Sequence, residues 1–307
     1  MDGELREDLA AAGVQVVVRP LAVLRRAALS PSGLAGVGGA LARDAGGLAR
    51  LARAHDVALI HTNTSVTLGG APAARLARVP HVWHMREIYT GFERWWPVYR
   101  RLLLSADAVP CVSQATRAQL GPTSTASVLH DGLALQPQRA ERAGARAALD
   151  LPPEAFVVAI LGRVSTWKGQ DILIRAIAEL ARTGANAGVH DGTAIALVAG
   201  DPWRGEEERL AELHALAGTL GVADRVHFAG FRPDVENVYG AADVVAVPST
   251  QPDPLPNAAL EAAAAGCCVV AADHGGLPEI IEDGVSGRLV APGDVTALAR
   301  ALAGLRA

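Results

Sequence analysis

The chain has 307 residues, 50% hydrophobic and 20% charged, with a formal net charge of −4. That length and balance fit about two globular domains with real cores and exclude a disordered or collagen-like chain. Three cysteines are too few for a disulfide framework, and no run of 18 or more uncharged apolar residues is present to span a membrane.

The opening MDGELRED is acidic and has no apolar stretch, so it does not read as a signal peptide. Cys267 and Cys268 are adjacent in an apolar run and Cys111 follows another. All three read as reduced core residues of a cytosolic protein. Residues 1–150 carry 17 arginines against 12 acidic residues, net +5; residues 151–307 carry 10 arginines and one lysine against 20, net −9. A nucleic-acid-binding protein would be more basic overall, with aromatics among its cations, so nucleic acid is not expected as a partner. Lys168 is the sole lysine in a chain that otherwise uses arginine. Either a compact ammonium does something there that a guanidinium cannot, or it is a chance surface residue.

Short β-branched runs alternate with helical patterns, which predicts an α/β chain of parallel βαβ units in two Rossmann-like doubly wound domains. A short amphipathic helix is expected at Glu4–Ala12. Strands follow at Val14–Val18, Val57–His61, His81–His84, Ala108–Val112 and Ser127–Leu129, with helices near 36–54, 68–78, 96–104 and 114–120. Residues 1–135 are thus expected as an N-terminal domain, incomplete at its start. Residues 136–152 carry no strand pattern and read as a linker. In the C-terminal domain, 153–307, strands are expected at Phe156–Leu161, Ala194–Ala199, Val226–Ala229, Val244–Val247, Cys267–Ala271 and Gly287–Val290. Helices near 169–183, 206–219, 234–240, 257–265, 276–281 and 294–304 complete it. Two such domains would face a cleft, with ligands beyond the carboxyl ends of the strands.

Two strand exits carry the chemistry. In AILGRVSTWKGQDILIRAI, Gly162 turns the chain, Arg163 and Lys168 lie five residues apart, and Gly169 and Gln170 open a helix. Two cations at a helix start suit a di-anion such as a pyrophosphate; the plain alternative is a pair of solvated loop cations. In VVAVPSTQPDPLPNAALEAAAAG, Asn257 reads as an N-cap and Glu261 lies in the helix that follows. Glu261 can accept both hydroxyls of a ribose diol, or simply complement the helix dipole. Asp253 can accept from sugar hydroxyls, or serve as a turn former between prolines.

Taken together, these segments resemble the retaining, nucleotide-sugar-dependent glycosyltransferases of family four, which have the GT-B fold. The carriers are Gly162, Arg163, Lys168 and Gly169, the spacing Asp253-x7-Glu261, LEAAAAG-x-x-VVA, HGGLPEIIEDGVSGRLV and VHFAGFRPDVENVYGAADVVAVPS. In the first half the match is softer: HTNTS, WHMREI and ADAVPCVSQAT. The resemblance implies that Arg163 and Lys168 neutralise the donor diphosphate. It places Asp253 on the transferred sugar, Glu261 on the ribose, and Gly230 and Phe231 near the nucleobase. Gly162, Leu255 and Asn257 complete the donor site, and His84 corresponds to the family's cleft histidine, with a capped core histidine as the alternative. No D-x-D pair occurs, so no metal and no cofactor are expected beyond the nucleoside diphosphate sugar itself.

Three departures stand out. Asp253 replaces the family's usual Glu, retracting the carboxylate by about 1.5 Å. Pro256 removes a backbone N–H where the family often has Gly. A Gly-rich strand–loop–helix expected ahead of GELREDLAAAGVQVVV is absent from the sequence, which raises the expectation of a trimmed or late-started chain. The main expectation is a retaining, metal-independent hexosyltransferase acting on a glycan, lipid-linked or small-molecule acceptor. The alternatives are a same-fold sugar-nucleotide epimerase and a catalytically incomplete nucleotide-sugar-binding protein. Residues 92–104 combine Trp95, Trp96, Tyr99, Arg100 and Arg101. They suggest peripheral contact with an anionic membrane from the cytoplasmic side, against the alternative of a packed helix with solvated arginines.

Overall fold

The structure is a computed structural model that describes residues 4–23, 31–134, 136–186 and 193–306. The chain divides into two compact units: residues 1–85, 92–110 and 124–127 form the first, and 86–91, 111–123 and 128–307 the second. Through residue 128 the elements are α1 (Glu4–Ala11), α2 (Pro31–Ala54), β1 (Ile60–Thr62), α3 (Gly70–Ala77), β2 (His81–Trp83), α4 (Trp96–Leu103), β3 (Val109–Cys111), α5 (Gln114–Ala118) and β4 (Ala126–Val128). Then come α6 (Arg142–Ala148), β5 (Phe156–Leu161), α7 (Gln170–Asn186), β6 (Ala194–Ala199), α8 (Glu208–Thr219), β7 (Val226–Gly230), α9 (Val235–Ala241), β8 (Val244–Val247), α10 (Asn257–Ala264), β9 (Cys268–Ala272), β10 (Gly287–Val290) and α11 (Val295–Arg306). Among the described residues no helix is long and apolar enough to cross a membrane.

In the first unit β1 and β2 pair in parallel, with Ile60 opposite His81. The line continues as Trp83 N–H donates to Ala108 O at 2.9 Å and Met85 N–H to Pro110 O at 2.8 Å. Fully buried Trp83 anchors its indole N–H on Thr64 O at 3.0 Å. His81 is buried beside Thr62 Oγ1, 2.9 Å from its Nε2. Burial, partly offset by Asp107, lowers its pKa to about 4, so this ring is neutral. The strand expected at Val14–Val18 does not form. Its β-branched run has the propensity but no ladder partner, and Val14, Val17 and Val18 are left exposed.

The second unit contains a six-stranded parallel sheet in the order β10-β9-β8-β5-β6-β7. β5 and β6 read FVVAIL and AIALVA, apolar on both faces, as central parallel strands must be when helices cover both sides. Along β5 the side chains alternate. Phe156, Val158 and Ile160 pack with Leu173, Ile174 and Ile177 of α7, Leu213 of α8 and Leu298 of α11. Val157 and Ala159 join the opposite core, with Val238 and Tyr239 of α9 and Ala259 and Ala262 of α10. This is a doubly wound layer, each large aliphatic side chain contributing about 1.5–3 kcal/mol.

Residues 136–152, expected as a linker, contain α6, and Ala145 and Leu149 belong to the second unit's core. Glu141 caps this helix by accepting from Ala143 N–H and Gly144 N–H. The alanine-rich pattern is therefore an amphipathic helix anchored by Arg146, which is only 1% exposed. Arg146 donates to Asp243 Oδ2 at 2.8 Å, to Ala241 O at 3.2 Å and to Pro153 O. Asp243 also accepts from Val157 N–H at 2.7 Å. Removing one partner of such a pair strands a buried charge. Asp243→Ala is expected to destabilise the chain by about 3 kcal/mol or more, read by urea unfolding; a loss below about 0.5 kcal/mol would show the carbonyls alone suffice.

Candidate donor-binding site

From β5 the chain runs outward through β6 and β7, then returns to the other side as β8. The strand order reverses between β5 and β8, and a crevice outside the carboxyl ends follows from that reversal. A cavity of about 560 Å³ opens there, within the range of small-molecule sites. Gly162 and Arg163 line it after β5, Gly200 and Asp201 after β6, and Phe231 and Arg232 after β7. Asn257, Ala258 and Glu261 line it from α10, whose N-terminus lies at the wall and suits an anion.

The two cations are held differently. Arg163 lays its guanidinium 3.8 Å from the ring centroid of Trp203, an indole left 55% exposed. The buried Gln170 side chain donates to Arg163 O at 3.0 Å and fixes the backbone beneath it. Lys168 sits at the edge facing β8. Its Nζ is 2.7 Å from Asp253 Oδ2 and 4.3 Å from the Trp167 ring centroid. Thus the lysine proposed for phosphate and the carboxylate proposed for sugar touch each other.

Backbone contacts enforce that meeting. Thr250 N–H donates to Trp167 O at 2.7 Å. Gly169, at φ +83°, runs so close to Pro248 that a Cβ would lie 2.1 Å from its carbonyl oxygen. On the far side Gly276 N–H donates to Asp253 O at 2.9 Å, and a Cβ on Gly275 would lie 2.3 Å from that same oxygen. The HGG run is therefore the crossing that sets the height of Asp253. His274 adds a ring N–H donated to Ser249 O at 2.8 Å.

Among the expected donor residues, Gly162, Arg163, Phe231, Asn257 and Glu261 share the cavity wall. Gly230 backs the wall, its carbonyl accepting from Gly200 N–H at 2.7 Å. Leu255 is buried within the 248–256 loop and does not line the cavity. Asn257 is not the N-cap. Pro256 is, with an extended backbone (φ −72°, ψ 118°) and a carbonyl that accepts the first helical bonds. Asn257, freed from capping, stands at the wall. His84 belongs to the first unit. It is buried, donates its backbone N–H to Thr62 O at 2.8 Å, and stacks on His61 at 5.8 Å.

Sequence reasoning missed Trp203, Asp201 and Tyr239. The first two sit in AGDPWR directly after β6, where the strand-exit rule that found Arg163 applies equally. Tyr239 lies inside α9 and reads as core; its hydroxyl donates to Glu261 Oε2 at 2.9 Å.

Residues 141–305 match the family described as glycosyl transferases group 1, and residues 3–124 match glycosyltransferase family 4. A D-inositol 3-phosphate glycosyltransferase of Saccharomonospora viridis is 36% identical over 273 residues, 88% of this chain and 59% of that protein. One from Mycobacterium marinum is 35% identical over 275 residues, 89% of this chain and 53% of that protein. The chain thus spans a little over half the length of these relatives. Anabaena HepE in complex with UDP superposes with a TM-score of 0.80 at 30% identity, over 99% of this chain and 80% of that one. Its complex with UDP-glucose gives 0.79 at 30%, over 99% and 79%. The sheet order, the site at its reversal point and these matches together place the chain in the glycosyl transferases group 1 family, with the GT-B fold.

Proposed function

We propose that this chain carries out hexosyl transfer from a nucleoside diphosphate sugar, with retention at the anomeric carbon and without a metal ion. The observation that carries the reading is one cavity wall holding Arg163, the α10 N-terminus and Glu261, with Lys168 and Asp253 paired on the adjoining loops. The UDP and UDP-glucose complexes of HepE support a uridine donor, and the name of the bacterial relatives supports a small-molecule acceptor such as a phosphorylated polyol.

Departure of the diphosphate leaves an anionic pyrophosphate and an oxocarbenium-like sugar. The main requirement is preorganised positive charge at the leaving group, worth about 3–4 kcal/mol per strong donor. Arg163, Lys168 and the α10 N-terminus supply it in this reading, which is why no cation is invoked. Before donor arrives, Asp253 neutralises Lys168 and Trp203 shelters Arg163. Diphosphate takes over Lys168, and Asp253 turns to the sugar hydroxyls. His84 is proposed as a catalytic residue, as the resemblance implies.

Lys168→Ala and Arg163→Ala are each expected to lower kcat/KM by about a hundredfold, roughly 2.7 kcal/mol, with melting behaviour kept. Lys168→Arg should also be impaired, since a planar fork cannot sit between Asp253 and the Trp167 face as an ammonium does. Near-wild-type turnover of either alanine variant would sink the assignment. Activity that vanishes in EDTA and returns with Mn²⁺ or Mg²⁺ would overturn the metal-free part.

The α4 region is proposed as a peripheral membrane contact. Tyr99 and Leu103 face inward, so Tyr99 is not available to a membrane as expected, while Val98 is 71% exposed, Trp95 is exposed under the Arg94 guanidinium, and Arg101 is exposed on the same helix. An apolar ridge between arginines suits an anionic headgroup layer. Co-sedimentation with phosphatidylglycerol vesicles should exceed that with phosphatidylcholine, and the double variant Trp95→Ala/Arg101→Glu should abolish the difference. Equal sedimentation with both lipids would refute the contact.

A further inference from the structure

We infer that Tyr239 is a positioning residue that makes the donor site select ribonucleoside over 2′-deoxyribonucleoside diphosphates. The inference rests on the proposed role of Glu261 at the ribose and adds the group that holds it there. Tyr239 is fully buried in the core between the sheet and α10, away from the cavity wall. Its backbone carbonyl accepts from Arg139 Nε at 3.1 Å, which fixes the end of α9 that carries it. A buried phenol must place its O–H on an acceptor. Here that acceptor is Glu261 Oε2, 2.9 Å away, on a side chain that does line the cavity.

A glutamate on the first turns of a helix ordinarily samples several rotamers towards water. Tethering one oxygen to a rigid donor from behind leaves the remaining acceptor positions of Glu261 directed at the cavity. Burial, reinforced by the Glu261 charge, raises the Tyr239 hydroxyl pKa far above the usual phenol value. The ring therefore remains a donor at every working pH. A carboxylate held in place, and already partly desolvated, loses a charge-assisted hydrogen bond when the 2′-hydroxyl is missing and cannot swing away to recover it in water. A mobile glutamate would recover it and discriminate weakly. The site is thus tuned for UDP-, GDP- or ADP-type donors and against deoxythymidine-type ones.

The test measures dissociation constants of UDP and 2′-deoxy-UDP by calorimetry for the wild type, Tyr239→Phe and Glu261→Gln. The wild type should prefer UDP by about tenfold or more. Tyr239→Phe, which removes only the hydroxyl, should narrow the ratio to about threefold or less, chiefly by weakening UDP. Glu261→Gln should abolish it. A full ratio in Tyr239→Phe with a lost ratio in Glu261→Gln overturns the role of Tyr239 and leaves the ribose contact standing. A ratio unchanged in both, or absent in the wild type, overturns the ribose reading and this inference with it. Should Tyr239→Phe fail to fold, Glu261→Asp keeps the core ring and withdraws the carboxylate from it; a ratio held there is equally fatal. Loss of general stability alone would shift both ligands together and leave the ratio intact, so the ratio reports positioning.

Discussion

The ion pair between Lys168 and Asp253 is the contact on which the site's architecture turns. It joins the exit of β5 to the exit of β8, the two strands between which the sheet reverses direction. Its side chains are 24% and 9% exposed, so neither charge is fully hydrated. Isolated, each would carry a desolvation cost; together they cancel enough of it to keep both loops in register. The backbone supports the pair from both sides, through Thr250 on Trp167 and through the glycine crossing over Asp253. Any ligand that uses both groups must replace one ionic partner with another.

Arg163 shows the complementary solution. Among the described ion pairs none involves Arg163, which instead rests on Trp203 with its side chain exposed, an arrangement that costs little to leave. The two cations are therefore held in different ways, one by a counter-ion and one against an aromatic face. A compact ammonium fits between a carboxylate at 2.7 Å and an indole at 4.3 Å, where a planar fork would have to displace one of them.

How legible the molecule is in its sequence differs between its parts, for physical reasons. β5, β6 and β8 lie where continuous apolar runs put them, because a strand covered on both faces leaves an unbroken hydrophobic record. Val14–Val18 has the same composition and forms no strand, since propensity without a pairing edge is not enough. α6 was hidden because small alanines and one buried arginine give a weak apolar stripe; Arg146 reads as surface until Asp243, far along the chain, is known. Asn257 has the right chemistry for an N-cap, yet Pro256 takes the position, as only backbone geometry could show. Arg163 and Lys168 are legible as cations after β5, and Glu261 as a carboxylate in the helix after β8. Their holders, Trp203 and Tyr239, are not, because an aromatic side chain carries no mark of what it will touch.

The charge distribution adds one further constraint. Residues 151–307 carry net −9, although the site they build is suited to an anion. At physiological ionic strength the field of exposed carboxylates is screened over about 8 Å. Some of the negative charge is also tied up locally. Asp234, for instance, accepts from Arg232 at 2.5 Å and Asn237 at 2.9 Å, which holds its pKa down near 2. Long-range steering by this half of the chain therefore contributes nothing favourable to capture of an anion. Affinity has to come at contact distance, from a guanidinium, an ammonium and a helix terminus set in place beforehand. That requirement explains why so much of the local structure, from the Gln170 brace to the glycine crossing, serves to hold a few polar groups still.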